Sequence, residues 1–371
     1  MRQLLLAGGG HAHLEVLRQL IKAPLKGVQT TLVSLSRYHH YSGMVPGFLA
    51  GTYDEANIAF DLEALCHRAG VKFLVDQVTR LSPTQRQIVT ATEKRLAYDL
   101  ISFNLGSGAA GAGRPEVASA QLIKPISRAI QLRERILREA AANPRTRISV
   151  VGAGAAGFEI VCAARSLLLA RGLKPRISLF DSAPQILDGY SEAFRMRGAG
   201  ILESFGIEVH LGEQITSVER DRLVTPKGEI YPSDVTVWLT GAAAPLLFAE
   251  SGLAVDDRGF LLVDDNLRSI SNPQILAVGD CATLLNYPQT PKAGVYSVRQ
   301  APILWQTIRA NCLGGEGLRY LPQSSFLSIL NLCDGRALLR YKGLISASRW
   351  AWMLKDWIDR RFMRMYQSLV N

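Results

Sequence analysis

The chain has 371 residues, a formal net charge of +10 and a hydrophobic content of 48%. The length exceeds the usual size of one hydrophobic core, so it predicts two domains with an appendage. The composition is that of an ordinary globular protein. The basic excess favours an anionic partner such as a phosphate-bearing cofactor or anionic lipid. No nucleic-acid motif accompanies the charge, so we expect no nucleic-acid partner.

The cysteines predict a reducing compartment. They occur singly and without a CxxC pair, at Cys66, Cys162, Cys281, Cys312 and Cys333. This spacing indicates neither a disulfide framework nor a zinc site. His39 and His40 are adjacent and lack a carboxylate cluster, so no metal site is expected. No apolar stretch has the length of a membrane span, and we expect a cytoplasmic protein that is soluble or peripheral to a membrane.

The chain starts with a predicted βαβ unit. Its parts are a strand at 3–7, a helix at 13–21 and a strand at 29–34. The glycine-rich turn at Gly8 and Gly10 lets backbone N–H groups approach a pyrophosphate at the helix start. Two residues depart from the usual pattern, because His13 replaces the third glycine and the second strand ends in Ser34. A serine hydroxyl bonds a ribose and Arg37 can meet a phosphate, so we predict a dinucleotide site. The alternative is a glycine turn without a ligand.

A second βαβ unit carries the complete motif. Its parts are a strand at 147–151, a helix at 158–171 and a strand at 177–181. The turn supplies Gly152, Gly154 and Gly157 in the spacing GxGxxG, and Asp181 ends the following strand. An aspartate there accepts ribose hydroxyls and repels a 2′-phosphate, so the motif predicts NADH rather than NADPH. NADPH is the alternative, because Lys174 and Arg176 lie close by in the sequence.

Two residues are candidates for catalysis. Glu159 follows the second turn and would assist proton movement beside a nicotinamide, although an acid in the first helical turn is often only structural. Gly279 and Asp280 end a later apolar run, before a helix that starts near Ala293. This helix start and Lys292 would face the edge of a flavin where negative charge develops on reduction. The alternative is an ordinary surface lysine.

Together these elements resemble the two-dinucleotide flavoprotein family that includes glutathione reductase, ferredoxin reductases and type II NADH dehydrogenases. The resemblance implies an α/β fold with two Rossmann-like domains, for FAD and NAD, and a C-terminal α/β segment that ends in an amphipathic helix. It adds cofactor-binding positions at Val78, Gly106, Ser107 and Gly241. The implied order is FAD-binding domain at 1–112, NAD-binding domain at 113–250, FAD-binding domain again at 251–325 and C-terminal segment at 326–371.

The resemblance implies the activity as well. An FAD-dependent NADH dehydrogenase would pass hydride from NADH to FAD and then to a quinone or another two-electron acceptor. The run from Gly8 to His13 and the tail at 350–363 are similar to the NADH-dehydrogenase-like flavoprotein found fused to selenide, water dikinase. A soluble reductase with a selenium-containing or protein acceptor is therefore an alternative, and a non-catalytic FAD-binding scaffold or sensor is another. Disulfide reduction is not expected, because residues 38–51 contain no cysteine pair.

The tail at 348–371 is predicted to form an amphipathic helix. Its apolar positions at helical spacing are Trp350, Met353, Leu354, Trp357, Ile358, Phe362, Met365 and Leu369. The predicted polar face carries Arg349, Lys355, Arg360 and Arg364. Tryptophan opposite arginine suits the headgroup boundary of a membrane. Packing against the body or a second subunit of a homodimer is the alternative that the sequence leaves open.

Overall fold

The computed structural model describes residues 1–323 and 325–370. Residues 324 and 371, which fall in the predicted third and fourth segments, lie outside the described residues. The helices are α1 His11–Lys22, α2 Val45–Ala50, α3 Glu55–Ile58, α4 Leu62–Ala69, α5 Arg128–Ala142, α6 Ala155–Leu169, α7 Glu192–Ser204, α8 Leu247–Glu250, α9 Gly294–Leu313 and α10 Arg349–Gln367.

The strands are mostly short. They are β1 Arg2–Ala7, β2 Val28–Ser34, β3 Tyr38–His40, β4 Ala59–Asp61, β5 Lys72–Val75, β6 Val78–Ser82, β7 Gln87–Thr90, β8 Arg95–Ala97, β9 Leu100–Phe103, β10 Gly108–Ala109, β11 Gln121–Leu122, β12 Arg147–Val151, β13 Arg176–Asp181, β14 Glu208–Leu211, β15 Ser217–Val218, β16 Arg222–Val224, β17 Ile230–Pro232, β18 Val235–Trp238, β19 Ala242–Ala243, β20 Leu261–Val263, β21 Ile275–Ala277, β22 Ala282–Leu284, β23 Ser328–Asn331, β24 Ala337–Tyr341 and β25 Leu344–Ser348.

Two parallel five-stranded sheets carry the fold. Their orders are β21-β9-β1-β2-β5 and β11-β18-β12-β13-β14. In each sheet, the glycine-rich turn follows the central strand, β1 or β12. The next strands of the sheet, β2 and β5 or β13 and β14, lie in order on one side of it, and β9 or β18 lies on the other side. The strands β9 and β18 are buried at every residue, and β1 and β12 are buried from Leu4 and Ile148 onward, as expected of a parallel sheet covered on both faces. The predicted α/β fold with two Rossmann-like units is confirmed.

The chain passes twice between the two sheets. The strands β10 and β19, which lie on these two passages, pair with each other in an antiparallel ribbon. The helix α2 packs against α6, which follows the second glycine-rich turn. The edge strand β21 comes from the chain after the second sheet and joins the first sheet through β9. These contacts place the two glycine-rich turns in one continuous body.

The C-terminal segment is a three-stranded antiparallel sheet, β23-β24-β25, followed by α10. The position of Lys355 on the exposed polar face was predicted wrongly. Its side chain is only 11% exposed, because its ammonium group donates to the Gly43 carbonyl at 2.8 Å and to Asp359 at 2.9 Å. Trp350, Met353 and Trp357, in contrast, remain exposed. The inner face of the helix therefore carries charge, and part of the apolar stripe faces outward.

Asn104, which follows β9, joins three segments around the first glycine-rich turn. Its Oδ1 accepts a hydrogen bond from the Ala12 backbone N–H at 3.0 Å. Its Nδ2 donates to the Val278 carbonyl at 3.1 Å and to Ser297 Oγ at 3.4 Å. The side chain is buried, and the buried Ala12 N–H depends on it for a partner, whereas the Val278 carbonyl also accepts from Cys281 Sγ at 3.3 Å. The start of α1, the end of β21 and α9 are thereby held together.

Replacing Asn104 with alanine should lower the free energy of unfolding by about 3 kcal/mol, because the buried Ala12 N–H loses its partner and the Val278 carbonyl keeps only the weak Cys281 thiol donor. Chemical denaturation followed by circular dichroism measures the change. Asn286→Ala is the matched control, since this exposed amide contacts only Asp265, at 3.1 Å. It should change stability by less than about 0.5 kcal/mol. Equal effects of the two substitutions would contradict the role of Asn104.

Candidate functional site

The two glycine-rich turns are built in the same way. Gly8 and Gly152 have φ angles of +95° and +116°, which side chains with a Cβ rarely adopt. A Cβ on Gly8 would overlap the Asn104 carbonyl, and one on Gly152 would overlap the Leu239 carbonyl. In each unit, the chain leaving the neighbouring strand therefore lies directly over the first glycine.

The third position of the motif holds a different residue in each turn. A Cβ on Gly157 would collide with the carbonyl oxygen of Gly152, so α6 reaches its strand only without a side chain there. His13 occupies the corresponding place in the first turn. Its Nδ1 lies 2.6 Å from the Gly8 carbonyl and its Nε2 lies 2.8 Å from Ser102 Oγ. Burial lowers the pKa of His13 to about 4, so the neutral ring fastens this turn at physiological pH.

The second strand of each unit ends beside its turn, as predicted. Asp181 ends β13, and its carboxylate accepts hydrogen bonds from the backbone N–H groups of Ala153 at 2.5 Å and Ala183 at 2.8 Å. Ser34 ends β2 and is buried near Gly9. Both polar groups stand where a ribose would lie on a turn of this kind.

Two other predicted positions lie at the edge of the first sheet. Arg37 is paired with Asp61 at 2.7 Å and with Glu63 at 3.0 Å, and about half of its side chain is exposed. A phosphate would therefore have to share this guanidinium with two carboxylates. Val78 begins β6, shortly after the chain bonds to the end of β2 through the Ser34 carbonyl. It is thus close to the ribose end of the first turn.

A polar cluster forms where the first sheet ends. Ser107 Oγ donates to Asp280 Oδ2 at 3.4 Å. Lys124, which the sequence did not single out, donates to Ser107 Oγ at 2.7 Å and lies 3.7 Å from Asp280. Gly279 turns the chain here with φ +72°, and its N–H donates to Gln300 Oε1 at 2.7 Å. No local sequence pattern connects Lys124 with the other two residues.

The other predicted site positions near this polar cluster are Gly106, Gly241, Lys292 and Ala293. Gly106 has φ +69°, and the Gly241 carbonyl accepts a hydrogen bond from the Ala110 N–H at 2.8 Å, on the passage between the sheets. Ala293 is the N-cap residue of α9. Lys292 donates to the Ala282 carbonyl and to Thr283 Oγ1.

The Lys292 ammonium also lies 4.1 Å from the centre of the Phe260 ring. Burial lowers the pKa of Lys292 to about 8. This lysine is thus held by the chain beside the Gly279 turn rather than free at the surface.

Glu159 faces the C-terminal segment, where β23 precedes the last helix. Its Oε1 accepts a hydrogen bond from the Asn331 N–H at 2.7 Å. Burial raises the pKa of Glu159 to about 7, against the opposing effect of the Lys355 charge. Lys355 in turn bonds Asp359, whose Oδ1 accepts a hydrogen bond from Tyr41 Oη at 3.1 Å. A carboxyl group that titrates near neutral pH is therefore close to a buried ammonium, a buried carboxylate and a phenol.

This polar group lies beside aromatic side chains at the first glycine-rich turn. Phe362 of α10 has its ring centre 4.8 Å from Tyr41 and 5.7 Å from His11, the first residue of α1. Burial lowers the pKa of His11 to about 4, so it adds no charge at neutral pH. A cleft of about 230 Å³ opens nearby, with Met44 and Met363 among its lining residues. The other lining residues are polar: Asn57, Arg360, Arg364 and Gln367. The cleft therefore lies beside α10, and Glu159, Lys355, Asp359 and Tyr41 are not among its lining residues.

The thiols offer no comparable chemistry. Cys66, Cys162, Cys281 and Cys333 are buried, and burial raises the pKa of each thiol, to about 12 for Cys66 and about 11 for Cys281. A reactive thiolate needs the opposite shift and access to solvent. Within residues 1–323 and 325–370, no group of acidic, histidine and cysteine side chains is arranged to hold a metal ion.

Comparison with known proteins identifies the sequence family. The pattern that defines the pyridine nucleotide-disulphide oxidoreductases matches residues 2–306. The type II NADH:quinone oxidoreductase Ndh of Mycobacterium tuberculosis is 24% identical over 364 residues, covering 88% of this chain and 77% of that protein.

Solved structures share the fold. NDH2 from Plasmodium falciparum, determined in complex with NADH, has a TM-score of 0.82 at 13% identity, covering 98% of this chain and 97% of that one. The sulfide:quinone oxidoreductase of Aquifex aeolicus has a TM-score of 0.82 at 17% identity, covering 99% and 92%. The expected family, fold and oxidoreductase class are confirmed, whereas the likeness to a dikinase fusion partner stays a prediction.

Two of the three glycines of the second turn should respond differently to alanine. Gly157→Ala should destabilise the fold by about 1 to 3 kcal/mol, because its Cβ needs the space of the Gly152 carbonyl. Gly154 has φ −70° and no atom within 4 Å of an added Cβ, so Gly154→Ala should fold normally. The added methyl group should instead weaken NADH binding at the turn.

Denaturation curves and NADH titrations of both variants separate these effects. Unchanged NADH affinity of a stable Gly154→Ala protein would contradict a pyrophosphate at this turn.

Proposed function

We infer that this chain, which belongs to the pyridine nucleotide-disulphide oxidoreductase family, is an FAD-dependent NADH dehydrogenase of the type II kind. It would pass hydride from NADH to FAD and then reduce a quinone or another two-electron acceptor. The observation that carries this proposal is the pair of glycine-rich turns at the starts of α1 and α6, held in one body by α2 against α6. Relatives named for NADH:quinone oxidoreduction support the same activity.

The residues present fit both cofactors. The N-cap residues Gly10 and Gly154 make no side-chain cap, so backbone donors at both helix starts can serve a pyrophosphate, apart from the Ala12 N–H, which is bonded to Asn104. The space in front of Gly154 is open. Asp181 suits the adenine ribose of NADH, while Ser34 takes the corresponding place for FAD. We assign Ser107 and Asp280 to hydroxyl groups of the flavin side chain and Lys292 with Ala293 to the helix start beside its pyrimidine edge.

The cofactor supplies the redox chemistry, so the protein's own residues position the reactants and supply protons. FAD, when bound, accepts the hydride equivalent and later gives up two electrons. Reduction of a quinone also requires protons at its oxygen atoms. Glu159 is suited to deliver them, because its pKa of about 7 lets it hold and release a proton at physiological pH. Lys355, in the first half of α10, holds this helix against the first half of the chain by donating to the Gly43 carbonyl at 2.8 Å.

Acceptor reduction should therefore depend on Glu159. Below its pKa of about 7 the carboxyl group carries a transferable proton, and above this pH it does not. The wild-type rate with a water-soluble quinone should fall as the pH rises past this value. Glu159→Gln should lower kcat about 100-fold and remove that inflection, while the Kd for NADH stays unchanged.

Steady-state kinetics from pH 5.5 to about 8.5, a range that brackets the pKa, check the expectation. Glu203→Gln, an exposed carboxylate on α7, is the control and should behave as wild type. A Glu159→Gln protein with wild-type kcat and an unchanged inflection would contradict the role. A panel of quinone, selenium-containing and protein acceptors with the wild-type protein distinguishes the quinone reductase from the soluble alternatives. Failure of NADH to reduce bound FAD would favour the scaffold.

We also propose that α10 rests on an anionic membrane surface. No helix among the described residues is both long and apolar enough to cross a bilayer. Trp350 and Trp357 are 47% and 52% exposed on the outer side of α10, next to Met353. The Arg361 guanidinium lies 5.2 Å from the Trp357 ring centre, which combines an apolar ring and a cation at one surface. This combination suits the headgroup boundary, where a quinone would also be available.

Sedimentation with vesicles tests this surface. The wild-type protein should pellet with anionic vesicles, and the double variant W350E/W357E should have a partition coefficient about tenfold lower. Leu246→Glu is the control, because Leu246 is 73% exposed away from α10. Undiminished pelleting of the double variant would contradict the proposal. If the double variant also changed from a dimer to a monomer while its vesicle binding stayed undiminished, this face of α10 would be covered by a second copy of the chain and not by a membrane.

A further inference from the structure

Lys124 connects the two halves of the molecule. It follows β11, the edge strand of the second sheet, and precedes α5. Its Nζ donates to Ser107 Oγ at 2.7 Å and lies 3.7 Å from Asp280 Oδ2. Ser107 belongs to the passage that leaves the first sheet, and Asp280 follows β21 of that sheet. Three polar side chains from three distant segments therefore meet at one point.

The ion pair between Lys124 and Asp280 joins parts of the chain that belong to different sheets. Among the ion pairs of residues 1–323 and 325–370, only Lys124 with Asp280 joins the chain around the second sheet to the chain of the first. The others pair residues within one sheet's connections or within α10, as Arg147 does with Asp234. The Asp280 side chain is 19% exposed and that of Lys124 is 37% exposed. The pair is thus partly shielded from water, and its charges act more strongly than on an open surface.

The location of Asp280 is fixed by its own segment. Gly279 adopts φ +72° and donates its N–H to Gln300, which turns the chain at the end of β21. The carboxylate then points toward Ser107 and Lys124. Nothing else in this cluster carries a positive charge as close to the carboxylate. Without Lys124, the carboxylate would keep only its contact with the Ser107 hydroxyl, at 3.4 Å.

We propose that Lys124 is a positioning residue of the flavin site. It holds Asp280 and Ser107 in place for the hydroxyl groups of the flavin side chain, and its charge offsets the Asp280 carboxylate. This inference rests on the proposed function, because it takes FAD to bind at Asp280. Reduction places negative charge on a flavin, and an uncompensated carboxylate nearby opposes that change. The second half of the molecule thereby contributes a side chain to the cofactor site of the first.

The test compares three substitutions in the full-length protein. Lys124→Met removes the ammonium and keeps most of the length of the side chain, and Lys124→Arg keeps the charge. Lys227→Met is the control, since Lys227 is exposed in the turn between β16 and β17. The readouts are the Kd of FAD for the apoprotein and the midpoint potential of bound FAD by spectroelectrochemistry. Thermal unfolding confirms that each variant is folded.

Lys124→Met should raise the Kd of FAD about tenfold and shift the midpoint potential to a more negative value. Lys124→Arg should recover most of both losses, and Lys227→Met should match the wild type. The proposal is overturned if Lys124→Met has wild-type affinity and potential, or if Lys227→Met shifts them equally. Wild-type protein that binds no FAD would refute the proposed function itself, so the two failures are distinguishable.

Discussion

The amide of Asn104 is the interaction on which the first half of the molecule depends. It ties the start of α1 to the end of β21, although these segments are more than 250 residues apart in the sequence. The Asn104 carbonyl also lies where a Cβ of Gly8 would be. The chain can therefore reach this packing only with glycine at the turn and a small hydrogen-bonding side chain beside it. The same close approach occurs at Gly152 beneath Leu239, without an equivalent amide.

Local sequence patterns predicted the parts of the site that are built locally. Strand, glycine-rich turn and helix follow each other within a few residues, so Gly157 and the strand ends at Ser34 and Asp181 were identified correctly. The helix α7 was not predicted, because its apolar residues are few and one side of it is open to solvent. Cofactor contacts at individual residues stay predictions.

The remaining features depend on tertiary contacts that no spacing reveals. His13 departs from the motif because its ring bonds Ser102, a residue of β9. The role of Lys124 becomes visible only from its ion pair with Asp280, a residue far away in the sequence. Lys355 looked like a surface residue, yet a buried carboxylate on its own helix and a carbonyl from the first half of the chain hold it inside. In each case a polar side chain is placed by a partner far away in sequence, which amphipathic periodicity does not predict.

Each region of the molecule has one task. The two sheets present backbone donors to two dinucleotides, and α2 against α6 keeps them in one body. The C-terminal helix packs Phe362 against Tyr41 and places the Lys355 charge near Glu159. The fold is shared with a sulfide:quinone oxidoreductase, but the buried thiols with raised pKa values do not favour thiol chemistry here. The acceptor is consequently sought among compounds that take two electrons and protons.

The central claim is that a flavin in the first half lies within hydride reach of a nicotinamide in the second. Anaerobic titration of the FAD-loaded protein with NADH tests it most directly, with the visible absorbance of the flavin as the readout. We expect this absorbance to decrease in proportion to added NADH, and its loss to be complete at one equivalent of NADH per flavin. Binding of NADH without loss of flavin absorbance would contradict it.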